Sequence, residues 1–181
     1  MRLLFNHFPK ILNLIIPILI VFVLVMLNVR LAVNSLPLQE ALFDRNNVST
    51  VSNLSSHELR EVSTQIQNYF NDSSESLVVI VAGHNSEKNL FTPSEVSHMA
   101  DVKNLFQLFF TVQNFVATVI FICTVLSYIF LKNNAYIAIA KWFSHGGMLS
   151  IFSILLIGIV SIVAFEPLFT LFHYIGFPQG N

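Results

Sequence analysis

Three apolar runs limit what this chain can become. Ile11–Val29 (ILNLIIPILIVFVLVMLNV), Leu105–Leu131 and Tyr136–Phe165 each exceed the ~18 apolar-rich residues that mark a bilayer-crossing helix. The expected segments are a tail over 1–10, a first membrane helix over 11–33, a loop region over 34–91, a helix over 92–131 whose apolar part is the second span, a turn over 132–135, a third span over 136–165 and an interfacial segment over 166–181. Pro17 is expected to kink the first span. A cleaved signal peptide is the other reading of that span. Its apolar part is longer than the ~7–15 residues usual there, and Arg30 interrupts a cleavage site, so an uncleaved anchor is expected.

Charge confirms the class and sets the orientation. Only 10% of the 181 residues are charged and 54% are hydrophobic, with 18 Phe, whereas soluble domains are about 25% charged. A net charge of −1 lacks the basic surface that nucleic acid requires. Arg2, Lys10, Lys132 and Lys141 lie before the first span and around the start of the third, with no acid among them, whereas 34–103 holds nine acids and four bases. The positive-inside rule then sets the N-terminus in the cytoplasm and the long loop outside, together with the C-terminal segment. The single cysteine, Cys123, lies in an apolar run; no intrachain disulfide is possible, and a packing role is expected.

The loop should fold as a small cap leaning on the spans. Leu38, Leu42 and Phe43 give a mildly amphipathic piece after Pro37, and Asn46–Ser56 is expected to be loop. Its Asn-x-Ser triplets would be glycosylation acceptors only in a eukaryotic secretory pathway. Ser56 is expected to cap a helix carrying Leu59, Val62, Ile66, Tyr69 and Phe70 at helical spacing. Asn71–Glu75 is a turn. Leu77–Ala82 (LVVIVA) is expected to be a short buried strand ended by Gly83, making the cap α/β.

TPSEVSHMADVK (Thr92–Lys103) opens the next helix. Thr92 and Glu95 form a capping box, and Pro93 suits the first turn. His98 and Asp101 are three apart and share a face. At ~1.5 Å per residue, His98 stands about 10 Å above the apolar run, at headgroup depth. The last segment crowds Leu168, Phe169, Leu171, Phe172, Tyr174 and Phe177 around His173, just after Glu166–Pro167. Aromatic belts sit at the same depth, so His98 and His173 are expected on the outer face. His7, His57 and His84 are expected to be surface or turn residues. His145, beside Gly146 and Gly147, is expected at a close helix contact, and Gln107, Thr111, Gln113 and Asn114 at contacts between spans.

Imidazoles there can move protons near neutral pH. The bonds available at that depth are glyceryl esters. One histidine can take the proton from an attacking group while the other stabilises the oxyanion or protonates the leaving alkoxide. Ser94, Ser97 and Thr170 lack a nucleophile's context, which favours direct transfer between two substrate groups. A metal held by His98, Asp101 and His173 is the weaker alternative.

NLFTPSEVSHMADVKNLF (Asn89–Phe106) and the pattern formed by Leu168, Phe169, Phe172, His173 and Phe177 resemble the two motifs of a family of small bacterial integral membrane proteins that includes lipoprotein intramolecular transacylases. The resemblance implies an all-α membrane bundle with an extracytoplasmic cap. It implies transfer of the sn-2 acyl chain of a diacylated lipoprotein to the α-amine of its N-terminal cysteine. His98 and His173 match the family's two essential histidines, with Asp101, Glu95, Glu166 and Lys103 as supporting residues. No cofactor or metal is expected; the partners are the lipoprotein and the bilayer of a bacterial cytoplasmic membrane. The family continues beyond this point with a Trp-containing stretch and a fourth span, so the chain is expected to be a truncated, three-helix form. A non-enzymatic membrane partner or sensor acting through the outer loop is the alternative.

Overall fold

The structure, a computed structural model, describes residues 2–81 and 90–177. Its helices are α1 (Arg2–Val33), α2 (Leu36–Arg45), α3 (Val48–Ser52), α4 (Ser56–Asn71), α5 (Pro93–Leu131), α6 (Ala135–Val163) and α7 (Phe165–Gly176). A 3₁₀ turn over Lys132–Asn134 joins α5 to α6. Among the described residues, three segments are long and apolar enough to cross a membrane: Ile11–Val33, Pro93–Leu131 and Ala135–Val163. The helix of the first runs unbroken through Pro17. The chain divides into two compact units, residues 1–28 with 109–175, and residues 29–108 with 176–181.

In the first unit, Ile16, Ile20, Ile120 and Trp142 form the core, and Cys123 packs against it half-buried, among Leu12, Leu19, Val23 and Val116. The Trp142 indole N–H donates to the Asn13 side-chain oxygen, which satisfies its polar end inside an apolar setting. The Gln113 amide donates to the Val23 carbonyl at 3.2 Å, so this buried amide joins two helices as expected. Gly146 makes the close contact expected of the glycine pair: a Cβ there would stand 2.7 Å from Ile20 Cγ2 and 2.8 Å from Ile20 Cβ. Gly147 has nothing within 4 Å of that position, and His145 is exposed rather than packed. Because Ile20 is branched at Cβ it has little rotamer freedom to retreat. Gly146→Ala is therefore expected to cost about 1–3 kcal/mol by overpacking, read as a lower melting temperature in detergent. The companion change Ile20→Ala should recover part of it.

In the second unit, Leu54, Leu59, Val62, Tyr69, Leu77 and Val79 form the core, with Phe43, Val96 and Met99 packed on it. The helical spacing read for 59–70 is realised as α4, whose buried side includes Leu59, Val62 and Tyr69. Three details differ from the expectation. The cap of α4 is Ser55, not Ser56: its hydroxyl accepts from the Glu58 N–H and the Glu58 carboxylate accepts from the Ser55 N–H. The glutamate three positions on decides which serine caps. The segment read as loop over 46–56 holds the short α3, flanked by Asn47 and Asn53 at φ 51° and 57°, a left-handed conformation asparagine tolerates.

The third difference concerns the strand. Among the described residues there is no strand, so the α/β cap is not found; the described part of this unit is helical with one extended segment. Leu77 and Val79 are buried while Val78 and Ile80 are exposed, the period of two that made the stretch look like a strand. A strand needs a partner backbone, and this one finds a side chain. Gln65 of α4 donates to the Ile80 carbonyl at 2.7 Å and accepts from the Ile80 N–H at 2.9 Å. Ala82, Gly83 and His84 lie outside the described residues.

Candidate functional site

The histidine of the second unit stands on the first turns of α5. Thr92 starts that helix as read: its N–H donates to the Glu95 carboxylate at 2.7 Å, and its hydroxyl accepts from the Glu95 N–H at 3.3 Å. Glu95 is thereby used as a cap. Its carboxylate satisfies the Thr92 backbone and hydroxyl, two turns or less from the helix start, where negative charge also suits the helix dipole. One turn on, His98 is half-buried with its Nδ1 shielded from solvent. The Phe177 ring lies 4.9 Å from the imidazole, tilted by 54°. Phe177 therefore fills one side of the ring. Asp101, on the next turn, is exposed.

Lys103 is the best-anchored polar group of this unit. It is only 5% exposed, which an ammonium tolerates only when paired. Its Nζ donates to Asp72 Oδ1 at 3.1 Å and to the Ser74 carbonyl at 2.6 Å, and it sits 4.1 Å from the centre of the Tyr69 ring. Asp72 follows the last turn of α4, and its carboxylate also takes the Ser74 N–H at 2.9 Å and the Ser74 hydroxyl at 2.8 Å. Those bonds, the Ser74 backbone first and then its hydroxyl and Lys103, hold the Asp72 carboxyl below its usual range. Burial first, and then the charge of Asp72, pushes the Tyr69 phenol up. The supporting lysine thus ties α5 to the end of α4.

A pH dependence follows. A carboxyl lowered in the folded state stabilises it at neutral pH, and that stability is lost as pH falls through the ordinary carboxylate range and below it. Hydrogen exchange of the 69–75 and 98–104 amides is expected to accelerate as pH drops from about 5 to 3, after correction for intrinsic rates. Asp72→Asn should flatten that response.

The histidine of the first unit stands on α7. Pro167 sits in the first turn of this helix, after a break at Ala164, as Glu166–Pro167 suggested. Phe165, Phe169 and His173 are spaced four apart, so they line one side. Their rings stack in succession at 5.7 Å, with interplanar angles of 20° and 28°. Phe169 therefore fixes one face of the His173 ring. Glu166 is exposed and lines a shallow groove of about 510 Å³ with Pro167, Thr170, Leu171 and Tyr174. Seven positions separate it from His173, which is two turns, or about 10 Å along the axis.

Among the described residues no three of His, Cys, Asp and Glu converge as a metal site requires. The partners of Lys103 had no signal in the sequence, because Tyr69, Asp72 and Ser74 are some thirty positions away. The stacking of Phe169 on His173 was open to a reading of spacing alone. The Phe177 contact was not.

Neither curated proteins nor solved structures give a match to this chain. A family model does, and it spans almost the full length. It is the model of the lipoprotein intramolecular transacylase Lit, matched over residues 14–181, which takes in most of the first apolar segment and all of the other two together with both motif regions, and the chain belongs to that family.

Proposed function

We propose that this chain transfers the sn-2 acyl group of a diacylglyceryl lipoprotein to the α-amine of the same lipoprotein's N-terminal cysteine, using His98 and His173 as the proton-moving pair. The amine nitrogen attacks the ester carbonyl and forms the C–N bond. His98 takes the amine proton as that bond forms. The tetrahedral oxyanion collapses and the bond to the glyceryl oxygen breaks. His173 gives that oxygen its proton; His98 then releases a proton to water and His173 takes one up, so both imidazoles regain their starting forms. The products are an amide and a free sn-2 hydroxyl, with no other reactant. Holding amine and ester in one molecule makes the step intramolecular, which supplies much of the rate. The N-terminus is cytoplasmic in this reading, and the histidines face outside, where mature lipoproteins reside.

The observation that carries the reading is the aromatic hold on each imidazole. Phe169 stacks on His173, and Phe177, one turn beyond His173 along the chain, lies against His98. An ordinary interfacial histidine needs no such packing. The test is expression of the chain in a bacterium whose lipoproteins are diacylated, followed by mass spectrometry of lipoprotein N-termini. Lyso-form peptides, carrying an N-acyl and a monoacylglyceryl group, are expected. Their absence at normal expression would leave a binding role for the loop unit instead.

A further inference from the structure

One ionisable residue of the spans has no role so far. His145 stands on α6 four positions after Lys141, so the two share a side of that helix, and both are exposed. Among the described residues neither has a hydrogen-bond or ion-pair partner. An ionisable group on a membrane-spanning helix is costly, and one that persists marks a site. Lys141 makes the stronger demand. The first unit, residues 1–28 with 109–175, contains one acid, Glu166. That acid stands on α7, beyond the opposite end of α6. The unit therefore gives Lys141 no counter-charge within reach.

Depth in the bilayer decides what can supply one. Trp142, next to Lys141, bonds to Asn13, and Asn13 is the third residue of the apolar span that begins at Ile11. That contact sets Trp142 near one boundary of the ~30 Å hydrocarbon core. The 29 residues of α6 measure about 43 Å at 1.5 Å each, roughly nine residues more than the core requires. With Trp142 at the boundary, the excess lies at the N-terminal end of α6. Tyr128 and Tyr136, their rings edge-on at 5.9 Å, flank the turn between α5 and α6, and Trp and Tyr gather at this depth. Lys141 thus stands in the headgroup layer, and His145 is one turn deeper, about 6 Å, at the level of the glyceryl esters. The charge bias makes this the cytoplasmic leaflet. The anions at that depth are phospholipid phosphates.

We propose that Lys141 and His145 bind the phosphodiester of an anionic phospholipid of the phosphatidylglycerol type in the cytoplasmic leaflet. The ammonium meets the phosphate charge, and an imidazole N–H donates to a second phosphate oxygen or to the adjoining ester. A zwitterionic lipid brings its own cation to the same place, so a net-anionic headgroup is selected. The bound lipid lies beside the stretch of α6 that is joined to α1 through Trp142 with Asn13 and Gly146 with Ile20, and it braces that contact. The site is separate from the proposed acyl transfer and stands without it.

The test uses the full chain in a mild detergent, titrated with phosphatidylglycerol or phosphatidylcholine and read by native mass spectrometry and melting temperature. The parent chain is expected to retain phosphatidylglycerol in preference, with a melting temperature that rises as the lipid is added. Lys141→Gln and His145→Gln should each weaken that binding about tenfold, the worth of one charge-assisted hydrogen bond, and lose most of the rise. Lys132→Gln removes the same charge from an exposed lysine of the nearby turn and should bind as the parent does. Without added lipid all four proteins should melt together, since these side chains are exposed. Equal retention of phosphatidylglycerol by the parent and both α6 variants overturns the proposal. An equal loss in Lys132→Gln overturns it too, by reducing the effect to diffuse charge, as does equal retention of phosphatidylcholine. Displacement of the lipid by millimolar inorganic phosphate would assign the pair to a free anion and overturn the lipid assignment.

Discussion

His98→Ala and His173→Ala are each expected to remove lyso-form lipoprotein from cells while leaving the protein at its normal level in the membrane. Proton transfer by a positioned group is worth ~10²–10⁴-fold, and such a loss takes product below detection. Neither substitution should unfold the chain. Both rings are half-buried at the margins of their units, outside the two clusters that form the cores. In the proposed reaction the two groups act on one transition state, so the double variant should be hardly worse than either single one. Asp101→Asn tests the supporting role read for Asp101; with that residue exposed, a fall well short of the His98→Ala loss is expected. Full lyso-form product from either histidine variant, at wild-type abundance, would show that the reaction does not run through that ring.

Asp72→Ala should be the most destabilising single change in the second unit. It leaves the Lys103 ammonium, 5% exposed, without its counter-charge. Because the Asp72 side chain is itself open to solvent and the Ser74 carbonyl and the Tyr69 ring remain in place, solvent screening moderates the loss. Adding Lys103→Met removes the stranded charge and keeps the methylene volume, so the double variant should regain much of the loss. Denaturant melts of the four proteins in a thermodynamic cycle measure this coupling. Additive losses would mean that the pair contributes only through separate contacts. Activity should follow stability here, because the pair ties the end of α4 to the helix that carries His98.

The three membrane-length helices, the capping box at Thr92 and the helix over 56–71 were all legible in the chain, because each depends on residues within about four positions of one another. Hydrophobic runs and Thr-x-x-Glu spacing act locally, and no distant contact overrode them. Both candidate histidines were legible too, through the motifs around them. The strand over 77–82 misled for a physical reason. Alternating burial at Leu77, Val78, Val79 and Ile80 satisfies a strand's side chains, while its main chain needs a partner that periodicity does not reveal, and Gln65 took that place. Likewise Ser55 and Ser56 are equivalent as hydroxyls; only the reach of Glu58 separates them.

What the sequence determined by itself was the class, a membrane-length helical chain with two marked histidines, because apolar length and local spacing leave little else open. Only the tertiary structure decided what surrounds those histidines. Phe177 against His98, and Asp72 and Tyr69 around Lys103, join residues about thirty to eighty positions apart. Such pairs depend on how helices register side by side, which is set by the packing of whole faces rather than by any local run of residues.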